Sequence, residues 1–331
     1  MKNIIKSYLR PFKVRTKDVL AHLFYTMLFL SYRKKKRNTK YYCSICAIFK
    51  DESLYLKEWI EYHLMIGFDH LYLYNNFSSD SYLEVLRPYI DKGLVTLTEW
   101  PIKYGQISAY EDCANKYRNE NHWIMFLDID EFVCPREETD IKKWLKRFER
   151  YPAVKMYWLM FGTNGLIEGN PNKLVIEQYI CSWDALRSTG KVIWNTDFEP
   201  AEVYHEHLFC YYKIFGLTFR LPMINEALHF INYSTAEKLP KHNTIQINHY
   251  WSKSMNEYLD KINKGDVYSE DNDTRRHKLD FFYWHEHHNV REEKTIFRFL
   301  AELKVRMGFV DLRFSRNDVS SSQNNHSDDI S

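Results

Sequence analysis

The chain has 331 residues, 45% hydrophobic and 27% charged, enough for one large α/β domain with decoration. A mean hydropathy of −0.53 excludes a multispanning membrane protein. The net charge of +2 hides an asymmetry: residues 1–40 carry 12 Lys/Arg against Asp18 alone, leaving 34 basic and 43 acidic residues beyond. A basic tail on an acidic body calls for an anionic partner at the tail only, and nucleic acid is not expected. Within that tail, residues 19–32 are apolar but too few for the roughly 20 that span a bilayer. No small-residue cleavage site follows, as a signal peptide would require. The basic run Arg33-Lys34-Lys35-Lys36-Arg37 comes next, so an interfacial helix on anionic lipid is one reading. The other is a helix packed on the body beside a solvated basic run.

Strand and helix signals then alternate. A strand is expected over 43–49, and a helix over 52–66 with Leu56, Trp59, Ile60, His63 and Leu64 on one stripe. Cys43 and Cys46 form a CxxC, but residues three apart on a strand face opposite sides and no second CxxC follows. The six cysteines therefore read as structural thiols in a reducing compartment. Leu71–Tyr74 form a strand ending in a polar turn, residues 75–80, that caps a helix carrying Leu83, Leu86 and Ile90. A strand at 94–98 and a helix at 106–119 follow.

The next segment is the most informative. Trp123-Ile124-Met125-Phe126-Leu127 runs into Asp128-Ile129-Asp130-Glu131. The apolar run reads as a strand buried on both faces. Asp128 and Asp130, two apart on an extended backbone, would project to one side and suit Mg²⁺ or Mn²⁺. In open α/β sheets, ligands bind at the carboxyl ends of strands. Beyond it, a helix is expected over 139–150 and a strand over 154–161. Residues 172–250 mix short strands and loops, with helices returning at 254–264 and 292–306. Residues 320–331 read as disordered. The βαβαβαβ order predicts a largely parallel, doubly wound sheet.

Three classes put Asp-x-Asp at a strand end: a nucleotide-sugar transferase, a haloacid-dehalogenase-type phosphatase with Asp128 as nucleophile, and a non-catalytic metal-dependent glycan-binding domain. Phe132, where the phosphatase motif has Thr or Val, and the motif's late position disfavour the second. Several blocks favour the first. They are residues 50–63 with Gly67, residues 74–80, Gln106 with Asp112, residues 126–132, Trp158 with residues 161–165, and residues 248–254 with Lys261 and Gly265. On these residues the chain resembles the family-92 glycosyltransferases and their bacterial, family-2-like relatives, over about Cys43 to Gly265.

The resemblance implies a GT-A fold: a doubly wound mixed α/β sheet with helices on both faces. The basic N-terminal segment would be 1–40, the transferase domain 41–265, a helical extension 266–319 and the tail 320–331. It implies inverting transfer of a hexose from a UDP-sugar to a glycan or glycolipid acceptor, in surface polysaccharide or lipopolysaccharide assembly. The expected setting is the inner face of a bacterial plasma membrane. Asp128, Asp130 and His249 are the expected ligands of Mn²⁺ or Mg²⁺. Lys50, Glu52, Gln106, Asp112, Asp128 and Lys253 are expected at the donor. Asn75 and Asp80 would either bind base and ribose or serve as turn and cap residues. The general base stays open among Glu168, Asp184 and Glu226. The His-rich run at 285–289, outside these blocks, is expected to be a solvated polar patch.

Overall fold

The computed structural model describes residues 19–20, 22–30, 37–203, 208–214, 217–231, 239–264 and 279–309. Most of the basic segment, Gly265 and the tail expected to be disordered lie outside them. The first half follows the predicted alternation closely. β1 (Tyr41–Phe49), α1 (Ser53–Met65), β2 (His70–Asn75), α2 (Tyr82–Asp91), β3 (Val95–Glu99), α3 (Gln106–Tyr117) and β4 (Asn121–Phe126) succeed one another. β1, β2 and β4 are almost wholly buried, as continuous apolar runs covered on both faces must be. Cys43 packs into the core layer containing Trp59 and Trp144, and Cys46 into the opposite layer with Tyr110 and Trp194. The CxxC is thus split across the sheet, and all six thiols are free.

The second half departs from a simple parallel sheet. After β5 (Glu131–Pro135), the helix expected over 139–150 is a short α4 (Ile141–Leu145) capped by Asp140, followed by a 3-10 turn. β6 (Ala153–Met160) comes next, then α5 (Val175–Gln178) and β7 (Cys181–Ser182). β8 (Gly190–Asn195) inserts antiparallel between β4 and β6. β9 (Glu199–Val203), β10 (Leu208–Ile214) and β11 (Leu217–Leu221) form a separate antiparallel sheet. β12 (Ile224–Asn225) pairs with β6, and β13 (Ile245–His249) lies between β6 and β5. α6 (Met255–Lys264) and α7 (Leu279–Glu286) follow; α7 is a helix the sequence reading missed. After β14 (Arg291–Glu292), a 3-10 turn, Thr295–Phe299, and α8 (Leu300–Met307) stand where one continuous helix was expected.

The main sheet has nine strands, in the order β3-β2-β1-β4-β8-β6-β13-β5 with β12 beside β6. This is a doubly wound mixed α/β sheet. β1, β2, β3, β4, β6 and β13 run one way, and β8 and β5 run against them. One edge therefore gathers the carboxyl ends of β1, β4, β6 and β13 together with the amino ends of β8 and β5. Asp128, Asp130, Lys191 and His249 meet there.

Candidate active site

The Asp-x-Asp segment is a turn, not the end of a strand. β4 stops at Phe126, and the Glu131 N–H closes the turn by donating to the Asp128 carbonyl at 3.1 Å. The turn sends the two aspartates to different neighbours, which corrects the expectation that they point one way. Asp128 turns toward α3 and β8. Its Oδ1 accepts from Gln106 Nε2 at 2.9 Å and Tyr110 OH at 3.1 Å, and its Oδ2 meets Lys191 Nζ at 2.7 Å. Asp130 turns toward β13 and α6. Its Oδ2 accepts from Lys261 Nζ at 2.6 Å, and its Oδ1 lies 3.5 Å from His249 Nε2.

Each aspartate thus has its own lysine. Lys191 is 1% exposed, beside Asp128 and 3.6 Å from the fully buried Glu131. Burial would strip the ammonium of its proton, but the charge of Asp128 outweighs that and holds it on. Burial likewise raises the Glu131 carboxyl well above the usual range, opposed by Lys191. The Asp128 N–H donates to Glu131 Oε2 at 3.0 Å, which braces the turn from inside. Burial would also raise Asp130, yet the Lys261 ammonium beside it outweighs that and holds the carboxyl well below the usual range. Burial lowers His249, so the imidazole is neutral beside an anionic carboxylate.

That pair fits a divalent cation. The gap of 3.5 Å is too long for a hydrogen bond, while two donors so spaced can both reach one ion at about 2.1 Å. Carboxylate oxygen with neutral imidazole suits Mn²⁺. Asp128, the third expected ligand, is bonded to Gln106, Tyr110 and Lys191. Among the described residues no group of three or more His, Cys, Asp or Glu is arranged to hold a metal. Mg²⁺-type sites commonly complete their shell with substrate phosphate oxygens and water.

Beside the pair opens a cleft of about 370 Å³, lined among others by Asp51, Glu52, Tyr55, Trp251, Lys253 and Lys261. Lys253 Nζ sits 3.6 Å above the Tyr55 ring and 3.8 Å from Glu52 Oε2. Asp51 and Lys253 face this cleft with φ of 51° and 50°, a left-handed conformation costly for residues with a Cβ and concentrated at functional sites. Asp80 also lines it, while its Oδ2 accepts from Ser53 N at 2.8 Å and stitches the loop after β2 to the start of α1. A second cavity of about 420 Å³ adjoins the first and is lined by Tyr55, Glu58, Glu168 and Asp260, among others.

The remaining expected residues divide. Lys50 follows β1, half-buried. Asn75 is 4% exposed and spends its amide on Glu99 and Ser78, so it is a turn residue and not a donor contact. Asp112 lies six residues beyond Gln106, about 9 Å along α3. It pairs there with Tyr74 and Lys116, away from the site. Glu226 is also displaced. Its carboxylate holds Thr244, five residues before His249 and so roughly 16 Å down β13, at the opposite edge of the sheet. Glu168 and Asp184 are both exposed. The residue after Ser182, Trp183, donates its N–H to Met160 O, and Met160 pairs with His249, which keeps Asp184 at the site edge.

Several residues of the site were not foreseen. Lys191 sits in an apolar strand with no motif around it. Tyr110 reads as a helix core residue. Lys261 lay in a quoted block without a role. The His-rich run was also misjudged: His285 is 1% exposed, its ring 4.8 Å from that of Trp251, and Glu286 holds the Thr163 N–H and hydroxyl.

Known proteins resemble the chain in sequence. The family model for glycosyltransferase family 92 matches residues 39–278. A glycosyltransferase family 92 protein of Oryza sativa subsp. japonica is 27% identical over 185 residues, 54% of this chain and 31% of that protein. A galactan beta-1,4-galactosyltransferase of Arabidopsis thaliana is 29% identical over 135 residues, 38% of this chain and 27% of that protein. The chain thus spans about a third or less of the length of these relatives. The crystal structure of S. aureus TarS 1–349 is 14% identical, with a TM-score of 0.33 over 47% of each chain. With more than two-thirds of its length matched by the family model, the chain belongs to glycosyltransferase family 92.

Proposed function

We propose that the protein is a metal-dependent glycosyltransferase that moves a hexose from a UDP-sugar to a glycan or glycolipid acceptor, with inversion at the transferred carbon. The observation that carries this reading is the Asp130–His249 pair, linked through Lys261 to the cleft that Lys253 and Lys261 line. A nucleoside diphosphate presents the charge that such a set is built to meet. Asp130 and His249 would hold Mn²⁺ or Mg²⁺, which as a Lewis acid neutralises charge on the departing diphosphate. Lys261 and Lys253 bring two further cations to the same anion. Lys191, Gln106 and Tyr110 would fix Asp128 beside the donor. A single displacement needs a base for the acceptor hydroxyl, and Asp184 is the better placed of the two exposed carboxylates. Family relatives named galactan galactosyltransferases support a hexose and a glycan acceptor. We further propose surface polysaccharide or lipopolysaccharide as the acceptor, made in a reducing compartment consistent with six free thiols.

Titrating UDP into the protein by calorimetry, with and without Mn²⁺, tests the reading. Binding should tighten at least about tenfold with Mn²⁺, and Asp130→Asn should remove that gain while leaving the fold intact. Absence of UDP binding in both conditions would sink the transferase reading. Turnover of a generic phosphomonoester with phosphate trapped on Asp128 would favour the phosphatase instead.

A further inference from the structure

Residues 22–30 form a helix with two apolar faces and no charged side chain. One face is spent on the body: Leu28 and Phe29 are 8% and 2% exposed, and the Phe29 ring stacks on Phe230 at 5.7 Å and meets Tyr151 at 5.1 Å. The opposite face holds Leu23, Phe24, Met27 and Leu30, which are 48% to 72% exposed, with Leu20 at 65% one turn earlier. At 100° per residue, Leu20, Leu23, Phe24, Met27 and Leu30 fall on one continuous stripe. The apolar surface does not stop at the helix. Phe24 contacts Phe219 of β11 at 6.0 Å, and Leu217, two residues away on the same side of that strand, is 64% exposed.

A surface helix ordinarily turns polar residues to water, and a contiguous apolar patch of this kind marks an interaction site. Charge selects the partner. Arg33-Lys34-Lys35-Lys36 lie in sequence between the helix end and Arg37, and Arg37 is pinned to Thr196, Asp197 and the Arg118 carbonyl. In sequence, four consecutive cations thus stand a few residues from the apolar helix. An uncharged apolar stripe beside a polybasic run fits the boundary between headgroups and acyl chains of an anionic bilayer.

We propose that this face, Leu20, Leu23, Phe24, Met27, Leu30 and Leu217, docks the protein on an anionic membrane surface, with the helix lying between lipid and catalytic body. The helix would not cross the bilayer: among the described residues no helix is long and apolar enough to do so. The full chain should co-sediment with phosphatidylcholine vesicles containing roughly 30 mol% phosphatidylglycerol, and weaken as salt rises. The combined variant Leu23→Asn, Met27→Asn, Leu30→Asn should bind at least about tenfold more weakly. Lys34→Gln, Lys35→Gln, Lys36→Gln, which leaves the helix untouched, should do the same by abolishing the preference for anionic lipid. Either variant binding like wild type overturns the proposal, as does equal binding to pure phosphatidylcholine. A wild-type dimer that ignores vesicles and is dissociated by the Asn variant also overturns it, because a second copy would then cover the face.

Discussion

Lys191 Nζ lies 2.7 Å from Asp128 Oδ2, a buried lysine from a late antiparallel strand closing on the first aspartate of an early turn. Lys191→Met keeps most of the stem but leaves Asp128 and Glu131 facing each other without their cation. Removing one partner of a buried pair costs about 3 kcal/mol or more. Urea unfolding at pH 7 should show that loss, and a change below about 1 kcal/mol would mean that water replaces the ammonium.

Gly190 sets the approach that delivers Lys191. A Cβ there would lie 1.9 Å from the Met156 carbonyl oxygen, a backbone atom of the neighbouring strand that cannot step aside. Gly190→Ala should therefore destabilise the protein by about 2 kcal/mol or more and weaken UDP binding by moving Lys191. A stable variant with unchanged UDP affinity would show that β8 does not position the site.

His63 ties α1 to β5. Its Nε2 accepts from Val133 N at 3.3 Å, so the proton is on Nδ1, which donates to Trp59 O at 2.8 Å. Burial lowers its pKa from 6.5 to about 3, so the folded state binds this proton less readily than the unfolded chain. Its stabilising contribution is complete above pH 6.5 and is lost as pH falls toward 3. Between pH 7 and pH 5 the wild type should lose about 2 kcal/mol relative to His63→Gln. Parallel stability curves for the two proteins would contradict the buried neutral imidazole.

Asp184 and Glu168 can be separated kinetically. Asp184→Asn should lower kcat at least about a hundredfold with little change in donor KM, as removal of a general base does. Glu168→Gln, at the second cavity, should leave kcat within about threefold and act on acceptor KM if at all. The reverse pattern would exchange their roles.

Much of the first half was legible because its information is local. From Tyr41 to Phe126, apolar runs and stripes alternate at the periods of strand and helix, and each element packs on the next one in sequence. Asp130 stood out as a carboxylate just past a buried apolar run, and His249 and Lys253 through the family resemblance. Asn75 stayed open between ligand and turn, and Asp112 was placed at the donor, because good hydrogen-bonding residues look alike whether they bind a ligand or Glu99 and Tyr74. Glu226 was misread because chain order carries no information about which edge of the sheet a loop occupies.

By itself the sequence determined the alternating α/β architecture, the place of the acidic segment just past a buried apolar run, and the mostly apolar character of residues 19–32. These follow from periodicity and composition, which act over a few residues. Only the tertiary structure decided that Asp128 and Asp130 part company, one to Lys191 and the other to His249 and Lys261. That outcome depends on β8 and β5 running against the other strands, which brings their amino ends to the edge where β4 and β13 finish. A lysine 63 residues from its aspartate leaves no spacing signature. Its role is set by strand direction and by the cost of burying a charge without its opposite.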